Sequence, residues 1–236
     1  WTEKDYKAAS EEAIYSCCIE KKVLPSNFGL DMVNLADFPA FSSKKEFLSY
    51  LTLADSLMAR GLEIVVVADH NTIEGVTKLE TAIKIQHKHK AQYVFPTVLL
   101  GVEISCADKN HVVGIFANTE RNRQRINEWL ASHLIDVENG VYLTSSDTLA
   151  FIHECNSIGY LAHLNSSNIL TKDVFSYAFK KHLFDDNSIH YIGVSEPEKI
   201  ETIREKVMNY RNMPIKFVFD NDAHDVAMGH APILVE

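Results

Sequence analysis

The 236-residue sequence predicts an α/β fold with a mostly parallel sheet or barrel, on three observations. Apolar runs rich in β-branched residues alternate with amphipathic helical patterns about six times, as in chains that wind strand, helix, strand. Ligand-type polar residues follow the apolar runs at Asp69-His70, Glu103, His163 and Asp222-His224, with His111 near another run. The length suits one large domain over 1–236 with a single core.

The composition narrows the class. Apolar content is 46% and charged content 23%, ordinary for a soluble globular chain. No apolar stretch approaches the roughly 20 residues of a membrane span, so no membrane partner is expected. A net charge of −9 argues against a broad nucleic-acid-binding surface, although a local patch or a bound cation can still hold phosphate. The cysteines Cys17, Cys18, Cys106 and Cys155 have no CxxC spacing. Reduced thiols in a cytoplasmic protein are the natural reading. The chain opens on Trp1 rather than Met, which predicts a fragment or a chain whose start is missing.

Taken in order, Thr2 to Lys21 places Tyr6, Ala9, Ala13, Ile14, Cys17 and Cys18 at helical spacing. Residues 22–42 read as an irregular loop broken by Pro25, Gly29 and Pro39, either a lid or an ordinary surface excursion. Ser43 caps a helix with Phe47, Leu51, Ala54 and Leu57 on one face, and Gly61 is placed to end it in the left-handed region. Strand 62–68 follows and breaks at Asp69-His70, with Asn71 or Thr72 as the cap of helix 75–90. His87 and His89, at the cationic end of that helix, point to different faces and read as a solvated helix end complementing the dipole.

Strand 93–100 runs into Glu103, and strand 111–117 starts at His111. That places His111 at the opposite edge unless its strand is short or antiparallel, which spacing does not settle. Helix 119–134, helix 147–158 closed by Gly159, strand 159–163 ending in His163, helix 171–183, strand 189–195, helix 196–212 and strand 215–219 complete the pattern. His133 and His153 fall inside helices and read as surface or packing residues. The last strand runs into Asp220-Asn221-Asp222-Ala223-His224-Asp225, where Asp-x-His offers one oxygen and one nitrogen to a common point. A closed barrel would bring these strand ends to one rim. The resulting imidazole and carboxylate set suits Zn, Mn or Fe; the alternative is a rim that binds a small molecule without metal.

The motifs ADHNTIEG, LLGVEIS, HVVGIF, YLAHL and DNDAHD, in this order over about residues 60–230, resemble those of the PHP (polymerase and histidinol phosphatase) family. The resemblance implies a distorted (β/α)7 barrel and a two- or three-metal site that hydrolyses phosphoesters. It implies His70, Glu103, His111, His163, Asp222 and His224 as metal ligands, with Glu103 bridging. Asp69 would stand beside the metals, holding or orienting a ligand, so that Asp69, His70 and Glu103 form the catalytic set. It allows small phosphomonoesters, nucleotides or nucleic acid as substrate, and fusion to or assembly with an ATPase or polymerase. The family's opening strand with His-x-His has no counterpart before residue 60, and His87-Lys88-His89 lies after the Asp-His motif on a helix. Either that first strand is missing from this chain, or the barrel is degenerate and serves as a structural or partner-binding module. An amidohydrolase-like barrel would want a bridging Lys at a strand end, and no Lys is convincingly placed for it.

Overall fold

The computed structural model describes residues 8–171, 175–220 and 234–235, and the chain divides into two compact units. The first unit comprises residues 1–65, 74–99 and 223–228, and the second residues 66–73, 100–222 and 229–236. The boundaries fall within the first two strands.

The described part of the first unit is helical. Helix α1 (Glu11–Glu20) starts where Ser10 accepts a hydrogen bond from the Ala13 N–H, so the predicted 2–21 pattern is interrupted at Ser10. Residues 1–7 lie outside the described set. The 22–42 stretch is irregular, as expected, and contains two short 3-10 turns at Leu30–Met32 and Leu35–Asp37. Helix α2 (Lys44–Ala59) is capped by Ser43, and it buries Phe47, Leu48, Leu51, Ala54, Leu57 and Met58. Gly61 ends it at φ +69, in the region that disfavours a Cβ. Helix α3 (Glu74–His89) packs beside α2. Buried Gln86 donates to the carbonyls of Val23 (3.0 Å) and Leu51 (3.2 Å), and Lys78 pairs with Glu46 at 2.8 Å.

Most of the sheet belongs to the second unit. Strands β1 (Ile64–Val67), β2 (Thr97–Ser105), β3 (His111–Phe116), β6 (Ile158–Leu161), β7 (Tyr191–Val194), β8 (Lys216–Phe219) and β9 (Leu234–Val235) form one seven-stranded sheet in the order β1-β2-β3-β6-β7-β8-β9. The sheet is mixed. β2/β3, β3/β6 and β8/β9 are antiparallel, whereas β6/β7 and β7/β8 are parallel. The two parallel pairs are joined by helical crossovers, the β2/β3 pair by the short Cys106–Asn110 connection, and the antiparallel β3/β6 pair by a long connection that itself carries helices.

Between β3 and β6 lie helix α4 (Glu120–His133), a two-stranded ribbon of β4 (Leu134–Asp136) and β5 (Gly140–Val141), and helix α5 (Ser145–Glu154). Helix α5 begins with a reciprocal capping box between Thr144 and Asp147. It ends earlier than its predicted 158, because Asn156 (φ +52) takes the left-handed turn and Gly159 becomes a strand residue. There Gly159 makes room: a Cβ would stand 2.7 Å from Leu149 of α5. Short helices α6 (Asn168–Thr171) and α7 (Tyr177–Phe184) precede β7, and α8 (Ile200–Met208) precedes β8.

Candidate metal centre

Four of the predicted ligands meet at one edge of this sheet, all within the second unit. The carboxylate comes from β2. The sequence places Glu103 after a strand ending at 100, but β2 runs on to Ser105 and carries Glu103 in its interior. Side chains alternate along a strand, so Val102 and Ile104 fill one face and Glu103 takes the other, across the ladder from Val113. On β6, Tyr160 pairs with Val113, and these two with Ala162 form a buried cluster edged by Ala68, Ile115, Tyr191 and Val218.

His70 comes from the loop after β1, joined to Glu103 by a parallel bridge. The Glu103 N–H donates to the Asp69 carbonyl (3.0 Å), and the Asn71 N–H donates to the Glu103 carbonyl (2.8 Å). His111 opens β3 opposite Ser105. Because β3 is antiparallel to β2, its first residue lies at the edge where β2 ends, which answers the question that spacing left open. β6 is in turn antiparallel to β3, so its end returns to the same place. The Ala162 N–H donates to the His111 carbonyl (2.9 Å), and His163 follows at φ +30. A non-glycine residue held there is strained, and such strain persists only where its surroundings impose it. Here the Leu164 N–H donates to the Gly193 carbonyl (2.8 Å) and the Ser166 hydroxyl to the His163 carbonyl (2.9 Å).

The imidazoles surround the carboxylate. His111 Nδ1 and His163 Nε2 lie 2.7 and 3.2 Å from Glu103 Oε1, and His70 Nε2 lies 4.0 Å from Oε2. The His70/His111 and His111/His163 rings meet edge to face at 5.3 and 5.2 Å. Burial alone would push the Glu103 carboxyl up. The hydrogen bonds from His111 and His163 and the charge of His70 outweigh it, holding the group well below the usual carboxylate range. It is therefore ionised at neutral pH. Ligand atoms of His70, Glu103 and His111 all lie within 4.8 Å of one another. An ionised carboxylate among imidazole nitrogens, with one partly exposed member in His70, is a mixed N/O donor set that fits a borderline divalent cation.

Asp69 is half-buried and contributes its carbonyl as described. Asp222 and His224 lie outside the described residues. Sequence reasoning missed three groups around the centre. Asn71, taken as a helix cap, directs its side chain to Ser105 and Val137 instead. Tyr160 donates its hydroxyl to Asp220 Oδ2 at 2.5 Å, joining β6 to the end of β8. Asn165 accepts from the Ser195 N–H (2.8 Å) and donates to Glu196 Oε1 (3.1 Å), joining the segment after His163 to the end of β7. A signal was present for Tyr160 alone, a polar-tipped aromatic in an apolar strand.

The fold and the donor set define an α/β protein of the kind that assembles ligands at strand ends. The described part of the chain is similar to Endonuclease Q, whose crystal structure holds a 27-mer duplex with an abasic lesion at the active site. The TM-score is 0.50 at 14% identity, over 76% of this chain and 45% of that one, so the chain spans less than half of that protein. A second structure, of a protein from Bifidobacterium adolescentis proposed to be a metal-dependent phosphoesterase, aligns at a TM-score of 0.47 and 13% identity over 76% of this chain and 84% of that one. No protein-family model matches the sequence. The chain is 35% identical over 193 residues to an uncharacterized protein of Streptococcus pneumoniae serotype 4, covering 81% of this chain and 74% of that protein, and it belongs to that protein's family.

Proposed function

We propose that this chain is a metal-dependent phosphoesterase domain of the PHP kind, with the sheet forming part of a distorted (β/α)7 barrel. One observation carries the reading: three histidines from three separate segments converge on one ionised, buried carboxylate. The fold likeness to Endonuclease Q supports it. His70, Glu103, His111 and His163, with Asp222 and His224, would hold two or three divalent ions of Mn, Zn or Fe. Bound there, such ions supply Lewis acidity to phosphoryl oxygens and lower the pKa of water. Glu103 would be the carboxylate ligand, kept ionised by its imidazole neighbours and fixed by the main-chain bonds to Asp69 and Asn71. Asp69 holds or orients a ligand, and the exposed side of His70 faces incoming substrate.

The substrate is a phosphoester, with nucleotides, small phosphomonoesters and nucleic acid as the candidate classes. A net charge of −9 places the affinity for any nucleic acid in the ions and a local patch. Fusion to or assembly with an ATPase or polymerase and a cytoplasmic location belong to the same reading. No helix among the described residues is long and apolar enough to cross a membrane.

The test is metal content by mass spectrometry on protein purified without added metal or chelator, paired with hydrolysis of a generic phosphodiester with and without Mn²⁺. The expected result is two or more ions per chain, with activity lost by at least about a hundredfold in His70→Ala and Asp222→Ala. Absence of bound metal after Mn²⁺ and Zn²⁺ are both supplied sinks the reading in favour of a barrel kept for binding.

A further inference from the structure

Asn71 is 3% exposed, although its neighbour His70 is exposed. Its backbone sits at φ +56, a region that Asn and Asp tolerate better than other side chains. Its bonds among the described residues run to the candidate centre and the ribbon. Its N–H donates to the Glu103 carbonyl at 2.8 Å. Its Oδ1 accepts from the Ser105 N–H at 3.0 Å, two residues after Glu103. Its Nδ2 donates to the Val137 carbonyl, between β4 and β5, at 2.9 Å, and to the Ser105 hydroxyl at 3.4 Å. The ribbon also abuts Ser105 from its other strand, where a Cβ on Gly140 would come within 2.1 Å of the Ser105 carbonyl oxygen.

One amide thus ties together the loop carrying His70, the end of the strand carrying Glu103, and a ribbon from a distant part of the sequence. We infer that Asn71 is a positioning residue that sets His70 against Glu103 and holds the 134–141 ribbon as a fixed wall beside the centre. Its catalytic consequence rests on the phosphoesterase reading; its structural consequence does not. The wall exposes Ile135 and Val137, and its charged side chains are Asp136 and Glu138.

Two variants of the whole chain separate the roles. Asn71→Asp keeps the backbone conformation and the acceptor for the Ser105 N–H, but it sets a carboxylate oxygen against the Val137 carbonyl. Asn71→Gly keeps the backbone and loses all three side-chain bonds. The expected result for Asn71→Asp is hydrogen exchange at ribbon amides faster by about tenfold or more, while exchange in the β6–β8 strands stays unchanged. Mn²⁺ affinity, read by calorimetry, stays within about threefold, and KM for the phosphodiester rises with kcat held within about twofold. In Asn71→Gly the ribbon exchange rises likewise, and Mn²⁺ affinity falls by about tenfold. Unchanged ribbon exchange in both variants overturns the inference, as does an equal acceleration across all amides, which would mark a general loss of stability. If the unsubstituted chain binds no Mn²⁺ and hydrolyses nothing, the phosphoesterase reading fails, and the exchange pattern still decides the role of Asn71.

Discussion

At the residue scale, the centre depends on short-range details that spacing along a chain does not carry. Glu103 was visible as a carboxylate near a strand end. Its place inside β2 was not, because a glutamate between Val102 and Ile104 reads equally well as the start of a loop. Asn71 was harder still: its partners Ser105 and Val137 are 34 and 66 positions away, and a polar residue before a helix is more often a cap. Gly140 gives a direct check of the contact that closes around Ser105. It combines φ +75 with a Cβ position 2.1 Å from backbone oxygen, which no side-chain rotation relieves. We expect Gly140→Ala to lower the stability measured by urea unfolding by about 2–3 kcal/mol, from strain and displacement together. Gly61→Ala, at φ +69 with open space around it, should cost only about 1 kcal/mol.

At the element scale, alternating periodicity located the helices and most of the strands, because long amphipathic segments average over local exceptions. The ribbon escaped, since strands of three and two residues carry too few positions to show a period of two. Strand direction escaped as well: a parallel and an antiparallel β3 have the same composition. Between helices, the Lys78–Glu46 pair links α3 to α2 at 2.8 Å with both side chains largely shielded. Burial opposes both charges, yet the hydrogen bond and the charge of the partner more than compensate, so Glu46 lies below its ordinary value and Lys78 above it. The depressed carboxyl contributes stability that is full above the unfolded value near 4.3 and is lost as pH falls through the folded one. The raised ammonium contributes below about 10.4 and loses its contribution as pH rises through the folded value. A double-mutant cycle with Glu46→Gln and Lys78→Met should give a coupling of about 0.5–1 kcal/mol at pH 7 that shrinks as pH falls through the folded value of Glu46. Persistence of the coupling after Glu46 has been titrated to its protonated form would show that packing of the lysine stem, and not charge, joins the helices.

At the scale of the whole molecule, the α/β class was legible, and so was the placing of His70 and His163 at one sheet edge, because each follows the end of a strand. The mixed direction of the sheet was not, and it is the mixture that brings His111 to Glu103. If ions occupy this centre, they bind the folded chain and not the unfolded one, so stability must depend on their concentration. At free Mn²⁺ about a hundredfold above its dissociation constant the gain is about 2.7 kcal/mol, or about 5–10 °C in Tm for a chain of this size. Scanning calorimetry with Mn²⁺ and with chelator should show that shift, and Glu103→Gln should abolish it; an identical shift in Glu103→Gln would place the ions elsewhere. The β2–β3 pairing, with Ser105 opposite His111, makes the Cys106–Asn110 turn a ruler. Adding or deleting one residue there and re-pairing the hairpin would swing the imidazole to the opposite surface, together with Val113 of the buried cluster. Among descendants of this chain, the length of that turn is therefore a more sensitive record of whether the chemistry survives than the identity of most residues in the sheet.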